Sequence, residues 1–221
     1  MIVPDEIAGG CIAIFKNVFL DPKSIIDDLE KESTLFSEQE SWQWKKTGTI
    51  SHGTDQNMRT NFSLPITKNA KTGNETAKKI HNLIFNKIES AVDWYRDNYG
   101  IPSRLYHEPY TILKYSYQQE YKAHYDGTTQ TARAVSVVIY LNDEYEGGEI
   151  EFPNFKFKLK PEAGTMIVFP SNFAYTHIAH PVDSGIKYAI VTWLHDWLSP
   201  DVPQFPIKKS LLNLGIIKNI D

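Results

Sequence analysis

His124-Tyr125-Asp126 and His177-Ile178-Ala179-His180-Pro181, both inside the stretch Tyr115 to Leu194, decide how this sequence is read. The first is a His-x-Asp at strand spacing. Residues i and i+2 of a strand project to one face, so His124 and Asp126 are expected to point one way and Tyr125 the other. The second piece supplies a distant histidine, His177 or His180, and a shift of register would exchange their faces. Ten residues beyond His177 stands Lys187, in Gly185-Ile186-Lys187-Tyr188. Two imidazoles and one carboxylate on a β scaffold are what a 2-His-1-carboxylate iron(II) site needs, and such a triad leaves positions open on the metal. A lone His-x-Asp is more often an ordinary solvated strand end, so the surrounding chain must carry the argument.

That surrounding chain reads as strands. Tyr110–Tyr117, Tyr121–Tyr125, Ala132–Leu141, Glu149–Phe152, Phe155–Leu159, Thr165–Phe169, Ala174–Ile178 and Lys187–Leu194 are apolar or alternating runs. Turn residues separate them, among them Asp126-Gly127, Asn142-Asp143, Gly147-Gly148, Pro153-Asn154 and Asp183-Ser184-Gly185; the spacing predicts an antiparallel sandwich or barrel, a jelly roll among the options. Upstream, a strand is expected within Gly9 to Phe19. A short helix follows Asp21-Pro22, which serve as N-cap and first helical residue. Asn74 to Tyr99 is the clearest helix: Ala77, Ile80, Ile84, Ile88, Ala91 and Tyr95 fall on one face, with Gly100 and Pro102 as the stop. Residues 34–73 lack periodicity and read either as a binding loop or lid, or as short irregular strands.

The totals exclude several classes. A length of 221 residues suits one well-cored domain, and 41% hydrophobic with 23% charged residues is ordinary for a soluble globular protein. A net charge of −4 gives no global field toward nucleic acid or an anionic membrane. No run of apolar residues is long enough to span a bilayer. Cys11 is the single cysteine, so no intrachain disulfide forms; with no secretory leader apparent at Met1 to Glu6, a cytoplasmic location is the expectation.

Beyond these patterns, Tyr115 to Trp193 resembles the catalytic core of the 2-oxoglutarate-dependent iron(II) oxygenases, and in particular their prolyl 4-hydroxylase-like branch. The matching pieces are Tyr115…Tyr121-x-x-His124-x-Asp126, Tyr140-Leu141-Asn142 leading to Gly147-Gly148-Glu149-x-x-Phe152, and Pro161-x-x-Gly164-x-x-x-x-Phe169. They continue with His177-x-x-x-Pro181-Val182-x-x-Gly185-x-Lys187-Tyr188 and Trp193. Arg59-Thr60-Asn61 is weakly similar to a short stretch that precedes the core in that branch.

The resemblance implies a mainly β fold with flanking α: a double-stranded β-helix (jelly-roll, cupin-like) core over 106–197, packed by N-terminal helices within a single domain. Residues 1–105 would supply support and a substrate loop, and 198–221 a tail. It selects His177 over His180 as the distal ligand, giving an iron triad of His124, Asp126 and His177. It implies that Lys187 meets the distal carboxylate of 2-oxoglutarate, that Tyr140 can hydrogen-bond the same carboxylate, and that Tyr115 lines the pocket near the metal. Core packing with a hydroxyl at the rim is the plainer reading of both tyrosines. The cofactors implied are Fe(II) and 2-oxoglutarate, with ascorbate as reductant. The activity implied is hydroxylation of a C–H bond with release of succinate and carbon dioxide, on a prolyl residue of a peptide or protein. A small-molecule oxygenase and a non-catalytic cupin-like binding module are the alternatives; nucleic acid is not an expected partner. His107 and His195 lie outside the motif and read as partly buried polar residues.

Overall fold

Alternation along three neighbouring strands sets the architecture. In β8 (Arg133–Tyr140), Val135, Val137 and Ile139 face one side, as do Met166 and Val168 of β12 (Met166–Pro170) and Ile190 and Leu194 of β15 (Lys187–His195). The intervening Tyr140, Ile167, Phe169 and Ala189 pack in a separate cluster on the opposite side. A strand with apolar residues on both faces must be covered twice, and both covers are present. The computed structural model describes residues 2–19, 21–35, 43–47, 57–67, 74–101, 105–127 and 133–195.

One cover is helical. α1 (Lys23–Leu35) contributes Ile25 and Leu29, and α2 (Glu75–Tyr99) contributes Ala77, Ile80, Ile84, Ile88, Ala91 and Tyr95, the face the periodicity predicts. The Asn74 side chain accepts the Ala77 N–H at 2.8 Å, a cap that contributes about 1 kcal/mol. Gly100 ends the helix with φ 62°, and its N–H donates to the Arg96 carbonyl. Ile84 is fully buried, so Ile84→Ala would cost about 2–5 kcal/mol in transfer and cavity terms.

The other cover is a second sheet. The large sheet runs β1 (Glu6–Ala8), β2 (Ile12–Phe15), β12, β8, β15, β6 (Thr111–Tyr115), β4 (Phe62–Pro65), β3 (Lys45–Lys46), with β5 (Tyr106–His107) paired to the end of β15. Facing it are β11 (Phe157–Leu159), β10 (Ile150–Phe152), β13 (His177–Ala179) and β7 (Tyr121–His124), and apart from both is the pair β9 (Tyr145–Gly147) and β14 (Val182–Gly185). Every pairing between these strands is antiparallel. Ile150 and Phe152 of the small sheet join Ile12, Ile14, Tyr140, Ile167, Phe169 and Ala189 of the large one in a shared core. This is a jelly roll packed by helices.

Several elements depart from the expectation. Gly147-Gly148 and Asp183-Ser184-Gly185 have turn composition, yet β9 and β14 pair across them, with positive φ at Gly147 and Gly185. The strand expected over Ala174–Ile178 begins later: Phe173–Tyr175 is a 3-10 turn capped by Asn172, and β13 starts at His177. Within 34–73, β3 and β4 extend the sheet edge, the reading as short strands. His52 to Gln56 and the chain beyond His195 lie outside the described residues.

Candidate active site

β7 and β13 pair with His124 directly opposite His177, so two histidines far apart in sequence become cross-strand neighbours with ring centroids 4.2 Å apart. β7 stops at His124, and Asp126 sits in the bend beyond it. Strand alternation therefore does not aim this carboxylate; hydrogen bonds do. Ser136 Oγ donates to Asp126 Oδ2 at 2.7 Å, and Trp193 supplies a further side-chain hydrogen bond. Gly127 permits the bend, since a Cβ there would meet the Arg133 and Ser171 carbonyl oxygens at 2.9 Å. Tyr125 turns outward and is exposed.

The donor set fits a divalent metal. One ligand atom from each of His124, Asp126 and His177 lies within 4.8 Å of the others. Asp126 Oδ1 is 3.6 Å from His124 Nε2, and its Oδ2 is 3.8 Å from His177 Nε2. His124 Nδ1 faces the Lys122 carbonyl at 2.7 Å and His177 Nδ1 the Tyr175 carbonyl at 3.1 Å. A carbonyl only accepts, so each Nδ1 carries a proton and each ring turns its Nε2 toward the centre, the orientation a metal-binding imidazole requires. Burial and the neighbouring His177 push His124 down to about 3, which keeps it neutral. Burial works to raise the Asp126 carboxyl, while positive charge on the His177 or His124 imidazole and hydrogen bonds from Ser136 and Trp193 pull it down, and the balance holds it below the usual carboxylate range. His180 is not part of this cluster; its Nε2 pairs with Glu151 Oε2 at 2.7 Å.

A cavity joins the triad to Lys187, and Tyr115, Tyr121, Tyr140 and Trp193 line it. Lys187 is 2% exposed, and its Nζ donates to the Gly148 carbonyl at 2.6 Å. The amine lies 4.8 Å from the Tyr115 ring centroid and 5.7 Å from that of Tyr140. Gly148 lets the lysine stem pass, since a Cβ there would come 3.2 Å from Lys187 Cδ. Among the described residues no carboxylate pairs with this amine, and burial pushes it down to about 7, against a smaller upward pull from Glu149. A buried amine with one carbonyl partner fits an anionic ligand end. Tyr115 and Tyr140 are both buried core residues whose hydroxyls burial keeps protonated, so core packing and pocket lining hold together.

The comparisons with known proteins now bear on this geometry. The model of the 2OG-Fe(II) oxygenase superfamily matches residues 110–195. A PKHD-type hydroxylase of Prochlorococcus marinus (strain MIT 9215) is 31% identical over 186 residues, which cover 81% of this chain and 76% of that protein. The chain belongs to the 2-oxoglutarate/Fe(II)-dependent oxygenases, in their prolyl 4-hydroxylase-like branch. A putative prolyl 4-hydroxylase of Acanthamoeba polyphaga mimivirus is 27% identical, and the match covers 65% of this chain but only 61% of that protein. Among solved structures, a prolyl hydroxylase from Trichoplax adhaerens, in complex with a hypoxia inducible factor peptide fragment, shares the fold with a TM-score of 0.67. It is 17% identical and covers 85% of this chain and 84% of its own. The viral collagen prolyl hydroxylase of Paramecium Bursaria Chlorella virus-1, in a 2-oxoglutarate complex, has a TM-score of 0.57 at 20% identity, covering 84% of this chain and 96% of its own. Fe(II) and 2-oxoglutarate are the cofactors of this oxygenase family, and the His-Asp-His cluster suits the metal.

Sequence reasoning missed how the oxygenase site is braced. Arg133 stacks on Trp193 with its Cζ 3.6 Å from the ring centroid, and it donates from Nε and Nη2 to the two oxygens of Glu108. Its Nη1 also reaches the Asp126 carbonyl, and His195 lies on Glu108. Ser136 was the visible signal, a hydroxyl at an inward position of an otherwise apolar strand. Arg133 and Glu108 carry no such mark.

Proposed function

We propose that the protein is an Fe(II)- and 2-oxoglutarate-dependent hydroxylase of prolyl residues in a peptide or protein. One observation carries the reading: two imidazole Nε2 atoms and one carboxylate converge in the same cavity as a buried lysine without an anionic partner among the described residues. When bound, the metal and 2-oxoglutarate supply the oxidising power that inserts one oxygen atom of dioxygen into a C–H bond, the other leaving in succinate alongside carbon dioxide.

The chain's own residues hold and shield. His124, Asp126 and His177 would hold the iron, with Asp126 supplying the negative charge and Ser136 fixing its orientation. Lys187 and the Tyr140 hydroxyl would take the distal carboxylate of 2-oxoglutarate, and Tyr115 would wall the cavity between that end and the metal. Leu113, Val138, Ile150, Ala189 and Val191 line the remainder and exclude water. No general base is assigned, because the reaction asks the protein for geometry and a dry pocket.

Proline as the target is supported by the names of several relatives, prolyl hydroxylases of viral, plant and animal origin, although the relative that covers most of the chain is named a PKHD-type hydroxylase. Ascorbate as reductant and a cytoplasmic location belong to the same reading, supported by the branch resemblance and the single cysteine. The test is incubation of proline-containing peptides with Fe(II), 2-oxoglutarate and oxygen. Peptides gaining one oxygen atom on proline, with matching succinate, are expected. Succinate formed with small molecules but with no peptide would overturn the assignment.

A further inference from the structure

A second buried cation lines the same cavity. Arg59, 7% exposed, enters from the stretch ahead of β4, where its backbone bridges Tyr121. Its Nε donates to Asn61 Oδ1 at 2.7 Å, and its side chain also hydrogen-bonds Tyr115 and Tyr121. The guanidinium lies 4.5 Å from the Tyr121 ring centroid, and that ring stacks on the His124 imidazole with centroids 3.4 Å apart. Each of these partners is neutral. Among the described residues no carboxylate pairs with Arg59.

A charge balance gives this isolation a meaning. In the proposed loaded site a divalent metal and the Lys187 ammonium are matched by Asp126 and the two carboxylates of 2-oxoglutarate, and the total is zero. Arg59 stands outside that balance with one positive charge. A guanidinium cannot shed its proton as an amine can, and burying it beside uncharged groups alone is costly. The planar fork matches a carboxylate, and the space it faces lies beside the metal ligands.

We infer that Arg59 binds a carboxylate of the substrate, close to the carbon that is oxidised. This rests on the prolyl hydroxylase reading and narrows it: the substrate is an acidic peptide. The carboxylate is either the α-carboxylate of a terminal proline or the side chain of an acidic residue next to it. A purely architectural Arg59, tying residues 57–62 to Tyr115 and Tyr121, would show no preference for charge in the ligand.

Two pairs of peptides separate these cases. One pair ends in proline as the free acid or the amide; the other, blocked at both ends, places glutamate or glutamine after an internal proline. Each is titrated by calorimetry into the Fe(II)- and 2-oxoglutarate-loaded protein without oxygen, for wild type, Arg59→Gln and Arg59→Lys. In wild type the charged member of one pair should bind about tenfold more tightly than its neutral partner, and that pair names the source. Arg59→Gln should erase the gap and Arg59→Lys retain part of it, with 2-oxoglutarate affinity in both variants within about threefold of wild type. Equal affinities within both pairs, no binding by any peptide, a gap that survives Arg59→Gln, or a tenfold loss of 2-oxoglutarate affinity would overturn the inference. The wild-type comparison decides even if a variant fails to fold. Succinate release is scored separately, so peptides that bind by charge but are never oxidised would remove the prolyl reading and leave the carboxylate site standing.

Discussion

The two ends of the cavity are built on opposite electrostatic plans. At the metal end the supports of the ligands are already in place: both Nδ1–H groups rest on backbone carbonyls, and Asp126 is held by Ser136 and Trp193. At the Lys187 end one amine hangs from one carbonyl, with burial opposing its charge. The metal end is preorganised before anything binds. The lysine end is held at a cost that an anion offsets on arrival, so removing the charged group should weaken ligand binding at both ends but stabilise the empty fold at the lysine end.

Breaking the metal end should have the largest effect. Asp126→Ala removes the sole anionic group of the cluster, and iron affinity should fall by more than about a hundredfold, beyond what loss of a supporting residue does. Equilibrium dialysis of iron checks this, and an Asp126→Ala protein that still saturates with iron at wild-type concentrations would remove the triad.

The lysine end sharpens the contrast, because there removal should help the empty protein. The folded-state value of Lys187 is lowered from 10.5 to about 7, so between those values the unfolded chain holds a proton that the ligand-free fold does not. Stability of the ligand-free protein therefore rises with pH across this window, with a contribution of up to about 1.4 kcal/mol per pH unit from this one group. Lys187→Met should flatten that part of the slope and raise the urea midpoint at pH 7. Parallel pH profiles for variant and wild type would contradict a buried, uncompensated amine. Binding of 2-oxoglutarate at pH 8 should accordingly take up close to one proton, read by calorimetry in buffers of different ionisation enthalpy, and the uptake should vanish in Lys187→Met.

The smallest effect belongs to the support of the metal end. Ser136→Ala leaves the three ligands in place but frees one carboxylate oxygen, and iron affinity should drop by about tenfold with the urea midpoint little changed. No change in iron affinity would mean that Trp193 alone orients Asp126.

How much of this was visible in the sequence depends on whether a pattern or a contact makes the feature. α2 was legible because Ala77 to Tyr95 repeat at helical spacing, and β8, β12 and β15 because their apolar residues crowd both faces. The choice of His177 came from family spacing; a three-residue β13, with a register irregularity between His177 and Ala179, is too short for alternation to decide. β9 and β14 were hidden by their glycines, which mark turns in a sequence but here adopt positive φ inside a paired ribbon. Arg59 sat in a stretch without periodicity, and only folding brings it against Tyr115, Tyr121 and the cavity. Of the bracing of Asp126 only Ser136 left a mark, a hydroxyl in an otherwise apolar strand; the parts of Trp193 and Arg133 were illegible, because they join separate strands with no local spacing to betray them.

The claim that both ends serve one ligand is tested most directly by titrating 2-oxoglutarate into the Fe(II)-loaded protein without oxygen, for wild type and Lys187→Ala. Loss of the buried partner should weaken 2-oxoglutarate by about a hundredfold or more while iron affinity stays within about threefold. Unchanged 2-oxoglutarate affinity in Lys187→Ala would contradict the account, because the lysine would then face the cavity without anchoring what fills it.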